Sequence, residues 1–150
     1  MNDDVAALVE RLGLSDGGIL SVEPLAGGVS SDIVKVVTGH RRFVLKRALA
    51  RLKVAADWRA PVERNRYEVA WLRVAAEIDP RAVPSILASD ADAGAFAIAW
   101  LDPAQYRVWK LVLRDGEVEP EFAAEVGARM GKIHAATAGR ADIAARFATD

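Results

Sequence analysis

Val5, Leu8, Val9 and Leu12 recur at helical spacing behind Asn2, Asp3 and Asp4, and Gly13 stands where a helix commonly stops, so the chain opens on an amphipathic helix. After the Gly17-Gly18 break the period shortens to two. Val22 to Lys46 reads as strand, glycine-rich loop, strand, tight turn and strand. Gly27 and Gly28 interrupt two apolar runs, Gly39-His40 closes the second hairpin, and Phe43 and Leu45 alternate with Val44 and Lys46. That alternation sets Lys46 on the opposite sheet face from Phe43 and Leu45. Ala48 to Val62 has little period and reads as a loop with helical turns. From Glu63 to Ile78 the pattern is helical, with Tyr67, Trp71, Val74, Ala75 and Ile78 as one apolar stripe, and Asp79-Pro80 ends it. Val83 to Ser89 and Ala95 to Leu101 read as strands around an Asp90-Ala91-Asp92-Ala93-Gly94 turn. The expected fold class is α+β, a five-stranded antiparallel sheet plus helix.

Asp102-Pro103 reads as a boundary, which divides the chain into residues 1–102 and 103–150. Tyr106 to Arg114 suits either a strand leading into an Asp115-Gly116 hairpin or a short helix stopped by Gly116, and the helix is favoured. Pro120 then opens a helix in which Phe122, Val126, Met130 and Ile133 form one stripe, with His134 beside it on the inner side. Ala138 to Asp150 is weakly patterned.

Composition narrows the classes. At 150 residues and 52% hydrophobic, the chain can bury a real core as one domain, or as one lobe plus the beginning of another. A net charge of −1 argues against a general nucleic-acid or membrane-surface binder, although His40, Arg41, Arg42, Lys46, Arg47, Arg51 and Lys53 cluster locally; most of these are expected to be solvated. The absence of cysteine excludes disulfides and thiolate metal sites. With no signal-peptide pattern or long apolar run, the expected location is cytoplasmic. The four tryptophans suggest well-anchored packing.

Three features carry chemistry. Gly27 and Gly28 followed by Ser30, Ser31 and Asp32 make a small, flexible connection able to bring backbone N–H groups close to an anion such as phosphate. Lys46 closes a strand. Glu68, three residues before Trp71 and four before Leu72, lies on the border of a buried helix face and can reach a sheet beneath. Taken singly, a Gly-Gly pair is usually a turn and a terminal lysine is usually solvated; it is their order that is informative. Asp90 and Asp92 read as a plain hairpin turn, His134 as a packed histidine and His40 as a turn residue.

That order resembles the small lobe of the kinase-like phosphotransferases, and more closely the aminoglycoside phosphotransferase family, which also contains choline, fructosamine and methylthioribose kinases. LAGGVSSDIVKV matches the family's loop over the phosphates, FVLK the strand whose lysine, here Lys46, pairs with the α- and β-phosphates, and Glu68 in RNRYEVAWL the helix glutamate that holds it. In AIAWLDP, matching the hinge, Ile98 would back the adenine and the backbone of Ala99 and Leu101 would bond its edge. Val44 would complete the apolar wall. A finer likeness is to methylthioribose kinase, on Lys46-Arg47-Ala48-Leu49 and on Trp58 and Pro61, although this chain has arginine in place of that enzyme's glutamine and splits its Trp-Pro pair.

The resemblance implies ATP as cofactor, with magnesium held by residues of the second lobe, and a small hydroxyl acceptor such as an aminoglycoside, sugar or amino alcohol. It implies residues 1–102 as the nucleotide lobe and 103–150 as the start of an incomplete second lobe. The family's His-x-Asp loop, its metal-binding Asn and a later Asp would then lie past residue 150, because neither His40 nor His134 is followed two residues on by aspartate. No catalytic residue is therefore expected in this chain, which alone should turn over no phosphate. A non-catalytic nucleotide-binding or regulatory module is the alternative, and a scaffold whose glycine loop is only a turn is a third. The stripe on the 121–137 helix is expected to favour self-association.

Overall fold

The computed structural model describes residues 2–148. In chain order the elements are α1 (Asn2–Arg11), β1 (Ile19–Pro24), β2 (Ser31–Thr38), β3 (Arg42–Ala48), α2 (Arg64–Ile78), β4 (Ile86–Asp90), β5 (Ala95–Ala99), α3 (Trp109–Arg114), α4 (Pro120–Thr137) and α5 (Ala141–Arg146). The strands form one antiparallel sheet in the order β1-β2-β3-β5-β4. The fold is α+β, as a kinase-like small lobe followed by helices requires. The described residues of Met1–Arg73 and Pro84–Trp100 make one compact unit, and those of Val74–Val83 and Leu101–Asp150 another.

Register assigns the two faces of the sheet. Ile33, Lys46 and Phe96 lie side by side, as do Lys35, Val44 and Ile98, and these form the front. Val34, Leu45 and Ala97, with Val36, Phe43 and Ala99, form the back. On the back, Val5, Leu8, Val9 and Leu14 pack against Val34, Val36, Phe43 and Leu45 in one core cluster. Val9, Val36, Phe43 and Leu45 are almost wholly inaccessible, and each such burial contributes about 1.5–3 kcal/mol. The helix stops where expected, at Gly13 with φ +68.

Several expectations need correction. The segment after β3 has no helical turns. It doubles back, with Arg51 bridged to Arg59, Leu52 N–H donating to Trp58 O at 2.9 Å and Ala60 N–H to Ala50 O at 3.0 Å. Without an apolar period it has no helical face to bury, so its backbone groups pair between two arms instead. Trp58 rides on that excursion and is 61% exposed, which removes it from the anchored tryptophans. On α2 Val74 and Ala75 are buried as the stripe requires, but the other buried positions are Asn65 and Val69, while Tyr67 and Ile78 are half-buried and Trp71 is 40% exposed. β4 begins at Ile86 rather than Val83, consistent with Pro84 having no N–H to give a ladder, and it runs on to Asp90, which pairs with Ala95. β5 stops at Ala99, short of Leu101.

Tyr106 to Arg114 yields a helix, shorter than expected, and Gly116 with φ +85 follows it. α5 was not foreseen, being only six residues set off by Gly139 at φ +70 and too short to show a period. His134 is exposed rather than packed inward, because no residue of α4 is fully buried. Within the second unit, Arg129 Nη1 donates to buried Asp79 at 2.9 Å and Arg129 Nη2 to Glu125 at 2.5 Å. Among the described residues no helix is long and apolar enough to cross a membrane.

Candidate functional site

β3 alternates, so Phe43 and Leu45 anchor it to the back core while Lys46 emerges on the front. There its Nζ pairs with Glu68 Oε1, presented by the second turn of α2. The ammonium also lies 5.3 Å from the ring centroid of fully buried Phe96. The lysine side chain is 19% exposed and the carboxylate 43%, so the pair borders solvent rather than being sealed in. A pair of that kind adds little stability. Its effect is directional: it fixes a positive charge on the front of the sheet.

The loop between β1 and β2 lies beside that charge in the sheet order. Leu25 N–H donates to Ile33 O at 2.9 Å, which closes the hairpin behind the loop. Gly27 has φ +98, and a Cβ on Gly28 would stand 2.4 Å from Ser31 O. Both positions therefore require glycine, and their backbone is bare enough for close approach by an anion. Ser30 is half-buried and Ser31 is buried, the latter already in the β2–β3 ladder opposite Ala48.

The loop's far shoulder is held from three directions. Leu49 N–H donates to Ser30 O at 3.1 Å and Lys53 N–H to Val29 O at 2.8 Å. Arg64 Nη2 donates to Ser30 O at 2.8 Å and to Leu49 O at 3.3 Å. Sequence reasoning missed Arg64, although its place four residues before Glu68 on α2 was the available signal.

Val44 and Ile98 are direct partners across β3 and β5 and form an apolar strip beside Lys46. Ala99, at the end of β5, pairs with Phe43 of β3 and donates its N–H to Ser85 O at 2.9 Å. Leu101, expected to act with them, is 39% exposed and belongs to the second unit. A second missed residue, Lys35, lies next to Val44 on the same face. Its Nζ is 3.2 Å from Glu23 Oε2 and 5.0 Å from the centroid of the Trp100 ring.

Asp32, just past the loop, turns to the back. There the hydrogen bond from Lys53, and then that from Arg47, hold its carboxyl below the usual carboxylate range against the opposing effect of burial. Asp90 Oδ1 accepts from Ala93 N–H at 2.9 Å and from Arg11 Nη2 at 3.1 Å, in keeping with a structural hairpin. Among the described residues no three His, Cys, Asp or Glu side chains are grouped to hold a metal.

The family model APH, described as a phosphotransferase enzyme family, matches residues 21–149, from within β1 to past α5. None of the curated proteins compared with the chain matches it.

Proposed function

The chain belongs to the phosphotransferase enzyme family, and from that premise we propose that the front of its sheet binds ATP for phosphoryl transfer to a hydroxyl of a small acceptor. The observation that carries this reading is the pairing of Lys46 with Glu68 across β3 and α2. Phosphoryl transfer depends on positioning and charge neutralisation more than on covalent chemistry, and a directed ammonium supplies both. In this reading Lys46 meets the α- and β-phosphates and Glu68 keeps it aimed. The backbone at Gly27 and Gly28, with Ser30 and Ser31, cradles the phosphates. Val44 and Ile98 flank the adenine, and the backbone at Ala99 meets its edge.

The acceptor class proposed is that of the resembling families: an aminoglycoside, a sugar or an amino alcohol. The likeness to methylthioribose kinase does not single out methylthioribose. Arg47 replaces the glutamine and turns to the back of the sheet, and Trp58 and Pro61 are separated.

The test is a titration of a non-hydrolysable ATP analogue into the wild type and Lys46→Ala, followed by amide NMR. Shifts are expected at residues 27–31, 44 and 98, with affinity reduced about tenfold or more by Lys46→Ala, the scale of a charge-assisted hydrogen bond. Shifts confined to α4 would refute the assignment. A second reading, binding without transfer, is favoured by one observation: neither His40 nor His134 stands in a His-x-Asp sequence. An ATP-consumption assay of this chain with aminoglycosides, choline and sugars tests the second reading, which expects analogue binding without turnover by these 150 residues alone. Acceptor-dependent turnover that Lys46→Ala removes would reject the second reading.

A further inference from the structure

The back of the sheet carries a cavity that phosphotransfer on the front does not use. α1 packs on that face through Val5, Leu8 and Val9, and beside the glycine loop lies a cleft of about 100 Å³ whose apolar walls include Val5 and Leu8 of α1, Leu25 of the loop, and Ile33, Val34 and Leu45 of the strands. An apolar hollow of this size suits one small ring or branched chain, since dry cavities only somewhat larger take up benzene.

Its polar wall is made by Asp32, Arg47 and Lys53. Arg47 donates through Nη1 to Asp4 and through Nη2 to Asp32 Oδ2 at 3.1 Å, while Lys53 Nζ is 2.7 Å from Asp32 Oδ1. Both oxygens of Asp32 are therefore engaged. Arg47 Nε has no hydrogen bond among the described residues, and Lys53 uses one of its three N–H groups. The unused N–H groups on this wall belong to two cations, and with Asp32 as the one carboxylate lining the cleft its charged groups sum to a net positive charge.

We infer that this cleft binds a small monocarboxylate with an apolar body, its ring or branched chain against Leu8, Val34 and Leu45 and its carboxylate on Arg47 Nε and Lys53 Nζ. An ammonium head would meet two cations against a single aspartate. A neutral molecule of the same shape would gain nothing from the charge on the donors. The groups that would hold the carboxylate, Arg47 and Lys53, are distinct from Lys46 and Glu68 on the front.

The probe is benzoate, with benzyl alcohol as the ring without the charge, titrated into the isotope-labelled 150-residue chain. Benzoate is expected to give saturable amide shifts at residues 8, 25, 34 and 45. Benzyl alcohol should bind about tenfold more weakly or worse, as loss of a charge-assisted hydrogen bond implies. Arg47→Gln should weaken benzoate to a similar extent. Arg47 also ties α1 to the sheet, so Lys53→Gln, at a half-exposed position that makes one ion pair, is the milder variant; with its fold checked by urea unfolding it should weaken benzoate several-fold. Equal binding of the two probes, unchanged benzoate affinity in Lys53→Gln, or shifts only at front residues 44 and 98 would each overturn the assignment.

Discussion

Arg64 and Glu68, one turn apart on α2, reach the front of the sheet with opposite charges and different consequences. Glu68 engages an ammonium at the edge of solvent. Its replacement by Gln is expected to leave folding stability within about 1 kcal/mol by urea unfolding, as for other solvent-edge pairs, while weakening binding of the ATP analogue. A large loss of stability would mean that the pair is structural rather than directional. Arg64 instead supplies two backbone carbonyls, and Arg64→Ala leaves Ser30 O and Leu49 O without that partner. The expected cost is about 1.5–3 kcal/mol, with faster amide exchange at Lys53 and across residues 25–30. Lys46 and Glu68 were legible because strand alternation and helical spacing point to them. Arg64 was not, because a guanidinium that serves backbone carbonyls leaves no trace in a hydropathy pattern. Asp32 was equally silent, since its partners Lys53 and Arg47 come from a loop and a neighbouring strand. Its depressed pKa carries a pH prediction. An unfolded aspartate titrates near about 3.9, so the contribution of Asp32 is complete above that value and disappears as pH falls through the lower folded value. Asp32→Asn should therefore flatten part of the acid limb of a urea-midpoint profile below about pH 4 and lower the midpoint at neutral pH. Parallel profiles for the two proteins would contradict it.

At the scale of elements, β3 joins core and site in seven residues. Phe43 and Leu45 lie in the back core, and Lys46 is held on the front by the same strand. Leu45→Ala should cost about 2–5 kcal/mol in urea unfolding, because it opens a cavity against α1 that the sheet cannot close. Below the unfolding transition, the Lys46–Glu68 contact should persist, as seen in the Lys46 side-chain resonances. If that contact disappeared in the folded mutant, the two faces would be mechanically coupled. The presence and order of the five strands were readable from their period of two, but not all their ends: β1 begins at Ile19, β4 begins at Ile86 and β5 stops at Ala99. The first half of the α2 stripe was not readable, because Val69 and polar Asn65 are buried there in preference to Tyr67 and Trp71. The excursion from Ala50 to Ala60 was misread for a related reason: it has neither period, and its two arms are joined by backbone bonds that any residue could make.

At the scale of the molecule, burial is unevenly distributed between the two compact units. The largest fully buried side chains, Phe43, Phe96, Leu45, Val9 and Val36, all belong to the unit that holds the sheet. In the other unit the end of α2 buries Val74 and Ala75, α3 buries only Val112, and α4 and α5 bury nothing fully. What ties α4 is largely polar: Arg129 reaches Asp79 and Glu125, while Phe122 meets Trp109 edge-on at a centroid distance of 5.3 Å. Local opening is governed by buried apolar contact, so protection should follow this division. In native-state hydrogen exchange of the 150-residue chain, amides of β2 and β3 should exchange slowest, and those of α4 and α5 should exchange faster by a wide margin. Asp79→Asn should accelerate α4 further, since it removes the negative partner of Arg129 and leaves Glu125 as its remaining ion pair. β2 and β3 should be untouched, because their protection comes from a core in which Asp79 takes no part. Equal protection in α4 and β3 would show that the helices are held by more than these contacts. Acceleration of β3 by Asp79→Asn would show that the two units open as one.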